Sequence, residues 1–422
     1  MTTDLNNSIE LMAPAGNFTG LEAALQGGAD AVYFGVEHLN MRAKSTNNFK
    51  LRDLPEIRSR CDAYGARCYL TLNTILYDHD LPIMRRLMDE AKASGMDAVI
   101  LSDQAAIQYA HQIDLPVHLS TQLNISNIET VKFYANFADV MVLARELSLK
   151  QVKNITDQIA EQQITGPGGE LIGIEVFSHG ALCMAVSGKC YMSLHQYNAS
   201  ANRGACLQPC RRSYTLSETD SGKQIEVDNE YLMSPKDLCT IDFLDEVLAS
   251  GVSVLKIEGR ARSPEYIKTV TQCYKEAIEA YNRGEYSDDK IEDWKGRLKL
   301  VYNRGFWAGY YRGRKLGEWS RQYGSQATRR KLYVGRYRNF YKNINVAEFE
   351  VVSYPLEQGD KVLIVGPNTG VVETEIKELR VNGEPASEAH KGDLVTFAVP
   401  QHIRSADELY KWEPKPEKVP QS

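Results

Sequence analysis

Sulfur is scarce in this chain, with eight cysteines in 422 residues, too few for a disulfide-stapled secreted fold. Long apolar runs are missing too: none approaches the roughly 18 residues that a membrane-spanning helix needs. The opening "MTTDLNNSIE" lacks a basic segment followed by an apolar one, so it does not read as a secretory signal. Together these absences point to a cytoplasmic protein with reduced thiols and no membrane partner. Catalytic signatures are equally sparse. No His-Glu-x-x-His or Gly-x-Ser-x-Gly occurs, which removes the usual zinc-protease and serine-hydrolase readings. No Gly-x-Gly-x-x-Gly follows a strand and no phosphate-binding loop is present, which argues against an open, doubly wound nucleotide-binding sheet. Acid is nearly absent from one interval. Between Lys295 and Lys342 stand 14 Lys or Arg against Glu318 alone, a local +13, so the rest of the chain carries −19 to reach the net −6.

What is present begins with a repeat. Over the first 260 residues a short apolar run alternates with a longer amphipathic stretch. The runs are "IELMAPAG", "DAVYFGV", "RCYLTLNT", "DAVILSD", "VHLSTQ", "VMVLARE", "IGIEVFSHG" and "SVLKIEG". Nearly continuous hydrophobicity of this kind marks parallel strands covered on both faces. Eight such runs with helical segments between them predict an α/β fold, a (β/α)8 TIM-like barrel over residues 1–290. The connection from the seventh run to the eighth, about 181–252, is far too long for a plain crossover and implies a functional insertion over about 180–240. Ser263 and Pro264 start a clear amphipathic helix. A basic, aromatic-rich connecting segment is expected over 291–330, a small β-barrel domain over 331–410, where polar and apolar residues alternate between turns, and a disordered tail over 411–422.

The insertion holds half of the sulfur. Cys183, Cys190, Cys206 and Cys210 fall within 28 positions, spaced Cys-x6-Cys-x15-Cys-x3-Cys. Three readings are open: four thiolates around an iron–sulfur cluster, a structural zinc, whose tight Cys-x2-4-Cys knuckles fit only the second pair, or buried small hydrophobes. Gly180, Gly188 and Gly204 beside them would let backbone amides approach the sulfurs. Cys239 is a possible replacement ligand, while Cys61, Cys68 and Cys273 sit on core-type patterns. Barrel enzymes keep their chemistry at the C-terminal strand ends, where this sequence puts Asn73, Asp103, Gln122, Arg145, Glu146, His179, Glu258 and Arg260. His179 is an acid or base beside the cysteine loop, a hydrogen-bond donor to a cluster sulfur, or a satisfied structural residue. The basic interval is interleaved with Phe306, Trp307, Tyr310, Tyr311, Trp319, Tyr323, Tyr333, Tyr337, Phe340 and Tyr341. Either its cations and rings meet RNA, or it is a basic junction between two domains with its aromatics buried.

"EVFSHGALCMAVSGKCYMS", "NRGACLQPCR" and "SVLKIEGRARSPEYI", with "LMAPAGN" and "GADAVYFG" near the start, resemble the collagenase-like peptidase family over essentially the whole chain. The resemblance implies a 4Fe–4S cluster on Cys183, Cys190, Cys206 and Cys210, with Cys239 as the alternative to Cys210. It also implies hydroxylation without molecular oxygen, with prephenate as co-substrate in the RNA-modifying branch. The chain's length, "YNRGFWAGYY" and the terminal β-domain are most like the tRNA-modifying branch, which makes 5-hydroxyuridine from a wobble uridine. The shorter quinone-pathway branch and the longer ribosomal-RNA branch remain alternatives. On that basis tRNA, a prephenate-like dicarboxylate and a paralogous subunit are the expected partners. Arg145 and Arg260 then either grip carboxylates or pair with Glu146 and Glu258 in a structural ring. The competing reading is a peptidase acting on collagen-like proteins, with one cysteine as nucleophile and His179 as its base. A third is a non-catalytic carrier of the cluster.

Overall fold

The computed structural model describes residues 9–44, 48–214, 216–217, 219–221, 224–225, 233–313, 318–320 and 324–416. Each expected apolar run is a strand. In chain order the elements are β1 (Glu10–Pro14), α1 (Phe18–Gln26), β2 (Ala31–Phe34), α2 (Leu54–Tyr64), β3 (Arg67–Leu72), α3 (Leu81–Ala93) and β4 (Ala98–Leu101). Then follow α4 (Gln104–Gln112), β5 (Val117–Leu119), α5 (Ile128–Tyr134), β6 (Val140–Val142), α6 (Leu149–Glu161) and β7 (Gly173–Ala181). The helix starts are local chemistry: Asn17, Asp103 and Asn127 each accept a backbone N–H of the first turn. Helix α2 stops where Gly65 takes the left-handed conformation at φ 67°.

The insertion after β7 carries α7 (Met192–Tyr197) and the short pair β8 (Leu216–Ser217) and β9 (Gln224–Ile225). It returns as β10 (Asp237–Cys239), antiparallel to the far end of β7, with Cys239 opposite His179. Helix α8 (Leu244–Ala249) leads into β11 (Val254–Ile257), which pairs in parallel with both β7 and β1 and so closes the eight-stranded barrel. Within it the pleat sorts the side chains. Leu11, Val32, Leu70 and Val99 face outward into the large core beneath the helices, whereas Met12, Tyr33, Tyr69 and Ile100 form a separate cluster inside. The barrel interior is also ionic. Lys256 Nζ reaches Glu175 Oε1 at 2.7 Å, and His118 Nδ1 lies 3.8 Å from Glu175 Oε2.

Helix α9 (Pro264–Asn282), starting with Ser263 and Pro264 as expected, and α10 (Asp288–Leu300) pack behind the barrel. Strand β12 (Phe306–Trp307) then extends the barrel sheet by pairing with β10. The expected connector over 291–330 therefore begins inside a helix. The remaining chain is antiparallel: β13 (Arg329–Tyr341), β14 (Val346–Val351), β15 (Leu356–Glu357), β16 (Lys361–Gly366), β17 (Gly370–Glu375), β18 (Leu379–Val381), β19 (Glu384–Ala386), β20 (Glu388–Ala389), β21 (Leu394–Ala398) and β22 (Glu408–Pro414). Eight of these form one sheet, ordered β17-β16-β22-β13-β14-β21-β18-β19, around their own apolar core. Strand β22 corrects the tail: Lys411–Pro414 are not disordered but hydrogen-bonded to β13, because Leu409 and Trp412 bury their side chains there. Residues 417–422 lie outside the described residues.

Candidate functional site

The strand ends and the insertion enclose a cavity of about 350 Å³. Its floor is built from the barrel. Tyr33 comes from β2, Phe177 from β7 and Lys256 from β11, while Arg145, Glu258 and Arg260 follow directly on β6 and β11. Asn73 and Gln122 complete it through a shared hydroxyl: Asn73 Nδ2 donates to Ser120 Oγ (3.2 Å), which donates to Gln122 Oε1 (2.9 Å). Its roof is the insertion, and Cys183, Cys190, Cys206 and Cys210 all line it. The four cysteines and five of the strand-end candidates, Asn73, Gln122, Arg145, Glu258 and Arg260, thus share one space, although 38 or more residues separate each of these five from the nearest of the four.

The cavity is cationic. Arg42, Arg145, Arg211, Lys256, Arg260, Arg262 and Arg304 line it against a single carboxylate, Glu258. Burial pushes the Glu258 carboxyl up, but Arg42, Arg145, Arg260 and Lys256 outweigh this and hold it below its ordinary range. Tyr33 donates to Glu258 Oε2 (3.2 Å) and to the Ile257 carbonyl (3.0 Å), and burial raises its own pKa well above the usual value. Arg260, its pKa lowered by burial, donates to Asn40 Oδ1 at 3.2 Å. Arg145 is arranged differently. Its guanidinium lies over the Phe177 ring, 3.8 Å from the centroid, and its Nε is buried with no hydrogen-bond partner. A planar cation so placed presents donors to a bound anion.

The other candidates do not reach this space. Glu146 accepts the Ser187 N–H at 3.1 Å and so ties down the start of the insertion. Asp103 caps α4 and accepts the Leu76 N–H at 3.0 Å. His179 is buried among the rings of Tyr266, Tyr274 and Phe306, its Nδ1 3.4 Å from the Tyr274 hydroxyl. Burial lowers its pKa to about 4, and it is not part of the cavity wall. Cys239 is likewise turned away, beneath Tyr274, with burial pushing its thiol up to about 12. Cys61, Cys68 and Cys273 are core residues of α2, β3 and α9.

The donor set at the roof is four thiols, all partly accessible. Burial raises the Cys210 thiol to about 11, and Cys183, Cys206 and Cys190 add to that rise, so the four feel one another. The Met192 N–H donates to Cys190 Sγ at 3.4 Å. Among the described residues no three Cys, His, Asp or Glu side chains converge tightly enough to grip a lone ion. The four soft donors around one space match the ligand chemistry of an iron–sulfur cluster. Two of the glycines beside the cysteines have a packing role as well. A Cβ on Gly180 (φ 107°) would lie 2.3 Å from the Glu258 carbonyl, and one on Gly204 (φ 88°) 2.6 Å from the Asn40 carbonyl. They let the insertion sit directly on barrel backbone. Arg211 locks its far end, donating to the Leu182 and Pro235 carbonyls at 2.7 and 2.8 Å.

The basic interval is a junction. Lys295, Arg297, Arg304, Arg312, Arg330 and Lys331 pair with Asp242, Glu276, Asp237, Glu246, Glu413 and Glu265, and Arg336 and Arg338 share Glu350. Trp307 and Tyr311 are buried, and the Tyr311 hydroxyl donates to the Phe177 carbonyl at 2.6 Å. Arg314, Lys315, Arg321 and Tyr323 lie outside the described residues. Sequence reasoning passed over Tyr33, Arg42 and Lys256. Only Lys256 left a signal, a charge inside the apolar run "SVLKIEG".

The profile of "Peptidase family U32" matches residues 16–321. A Porphyromonas gingivalis protein named "Collagenase" is 51% identical over 97% of this chain and 99% of its own length. The Bacillus subtilis "tRNA hydroxylation protein P1" is 30% identical, covering 85% of this chain and 83% of its own. The Escherichia coli "23S rRNA 5-hydroxycytidine C2501 synthase" is 37% identical over 65% of this chain and 40% of its own.

Proposed function

We propose, from the premise that this chain belongs to peptidase family U32, that it is an iron–sulfur-dependent RNA-hydroxylating enzyme acting on tRNA. In this reading it converts a wobble uridine to 5-hydroxyuridine without molecular oxygen, using a prephenate-like dicarboxylate. The observation that carries it is the single cavity whose roof is four thiols and whose floor is a ring of cations around Glu258. Relatives named for tRNA and rRNA hydroxylation support the RNA class.

Cys183, Cys190, Cys206 and Cys210 would hold a 4Fe–4S cluster. When bound, it would supply one-electron chemistry next to the cavity. The chain's own residues bind and orient. Arg145, fixed by Phe177 and with an unsatisfied Nε, takes one carboxylate. Arg260, held by Asn40, and Lys256, held by Glu175, take the other anionic group. Glu258 stays ionised among them and keeps the cations spaced, while the Tyr33 hydroxyl stands as a proton donor at the floor. The insertion covers the cavity from above and leaves an entrance beside Cys190, and burial of the floor strengthens each of these contacts.

A peptidase reading is favoured by the relative named "Collagenase". It needs a nucleophile beside a base. The pair weighed from sequence, a cysteine with His179, is not formed, since His179 lies among aromatic rings behind β7. Nucleoside mass spectrometry of total tRNA decides between the two. Cells grown without oxygen should lose 5-hydroxyuridine and its derivatives on deletion, regain them with wild type, and not regain them with Cys206→Ser. Unchanged modification in the deletion strain would sink the tRNA assignment.

A further inference from the structure

The insertion has a second face that the cavity does not use. From Phe177 to Ser217 the chain carries no Asp or Glu, and Lys189 and Arg212 stand exposed on it, while Arg203 pairs with Asp80 and Arg211 is turned to the cavity. Two large side chains stand outward between residues that line the cavity. Tyr191, between Cys190 and Met192, is 69% exposed, and Leu207, between Cys206 and Gln208, is 46% exposed. Two more rings stand exposed in the same region with cations over them. Arg212 lies 5.1 Å from the centroid of Tyr197, and Arg203 lies 3.8 Å from that of Tyr77 on the β3 loop. The flanking β2 and β3 loops add exposed His38, Lys44 and His79, and two exposed acids, Glu37 and Asp78. Tyr191 lies 6.1 Å from the His195 ring, and all three tyrosines keep two fifths or more of their surface in water despite these partners; exposed rings of this kind mark a contact surface.

We propose that this rim is the docking surface for the unpaired loop of an RNA stem–loop, with a base stacked on Tyr191 at the cavity entrance. The inference deepens the RNA-hydroxylation reading and rests on it. Lys189 and Arg212, exposed and in none of the ion pairs described, attract phosphates, whereas Arg203 is paired with Asp80. Exposed tyrosines stack on unpaired bases, which only a loop or an end can splay out; a duplex keeps its bases inside. In the basic interval over 295–342, by contrast, eight of the 11 described cations are held in intramolecular ion pairs. Placement settles the order of contacts: a base leaving the stack over Tyr191 is already beside Cys190 and Met192, at the mouth of the cavity.

Fluorescence anisotropy on the full-length, anaerobically purified protein tests this with a labelled RNA stem–loop and a fully paired duplex of the same composition. Tyr191→Ala should weaken stem–loop binding about 10-fold. Lys189→Gln with Arg212→Gln should reduce the salt slope by about 1 for each phosphate left without its cation. Arg336→Gln, on the distant sheet, should change nothing, and the duplex should bind more weakly than the stem–loop. If wild type binds the stem–loop and Tyr191→Ala binds it equally well, the rim is overturned and the RNA reading survives. If wild type binds neither RNA, the RNA reading falls and takes the rim with it. Loss of gelatin-peptide binding in Tyr191→Ala, with RNA binding intact, would assign the rim to protein and overturn the inference.

Discussion

Charge at the residue scale is set here by company. Glu258 remains ionised in a buried place because four cations face it, and Glu175 is held low because Lys256 and His118 outweigh its burial. His179 has no such company, only rings, Asp237 and Arg262, and burial keeps it neutral. That difference makes a stability prediction. A histidine with a pKa near 4 when folded, against about 6.5 unfolded, takes up its proton preferentially in the unfolded chain. Its contribution is therefore full above pH 6.5 and lost as pH falls toward 4, by about 3 kcal/mol in total at roughly 1.4 kcal/mol per unit. Thermal melts of wild type between pH 7 and pH 5 should show this decline, and His179→Asn should flatten it. An equally steep decline in the variant would place the titrating group elsewhere.

The insertion's position depends on backbone contacts made at a few points. Lys44 N–H donates to the Gly204 carbonyl at 3.1 Å, Ile75 N–H to the Asn202 carbonyl at 3.0 Å, and Arg203 pairs with Asp80 at 2.8 Å. Gly204 is the insertion's close approach to the loop after β2. Gly204→Ala adds a left-handed penalty of roughly 1–2 kcal/mol and drives a Cβ against the Asn40 carbonyl. Limited proteolysis should then cut between residues 183 and 214 at least several-fold faster, while the melting of the barrel changes little. If the cutting rate is unchanged, the insertion is held by its other anchors. The glycines at 180 and 204 were visible in the sequence beside the cysteines, but their neighbours across the fold were not, so this packing role was not legible there.

At the scale of the whole molecule, the antiparallel sheet is welded to the barrel. Gln26 of α1 exchanges two hydrogen bonds with the β16–β17 turn and β17, donating to the Thr369 carbonyl (2.7 Å) and accepting from Val371 N–H (3.1 Å). Lys268 of α9 donates to the Val371 carbonyl at 2.7 Å, and Lys331 pairs with Glu265 at 3.0 Å. Leu363, Val365, Val371 and Trp412 join the barrel's own apolar core. A shared core couples unfolding. Scanning calorimetry should therefore show one transition for wild type, and Gln26→Ala with Lys268→Ala should split or broaden it. Two resolved transitions in wild type would mean that the interface is too weak to couple the two parts.

The sequence by itself determined the strands of the barrel, the existence of an insertion after the seventh, and the grouping of Cys183, Cys190, Cys206 and Cys210. These are written locally, as apolar runs, spacing and turn residues, and local patterns survive without knowledge of the fold. Tertiary structure alone decided which charges face one another. It brought Arg145, Glu258 and Arg260 beneath the cysteines, turned His179 and Cys239 away behind β7 and β10, and neutralised most of the basic interval against acids from α8, α9, α10 and the sheet. Coulomb interactions act through space and depend on distance and burial, and neither quantity is carried by the order of residues along the chain.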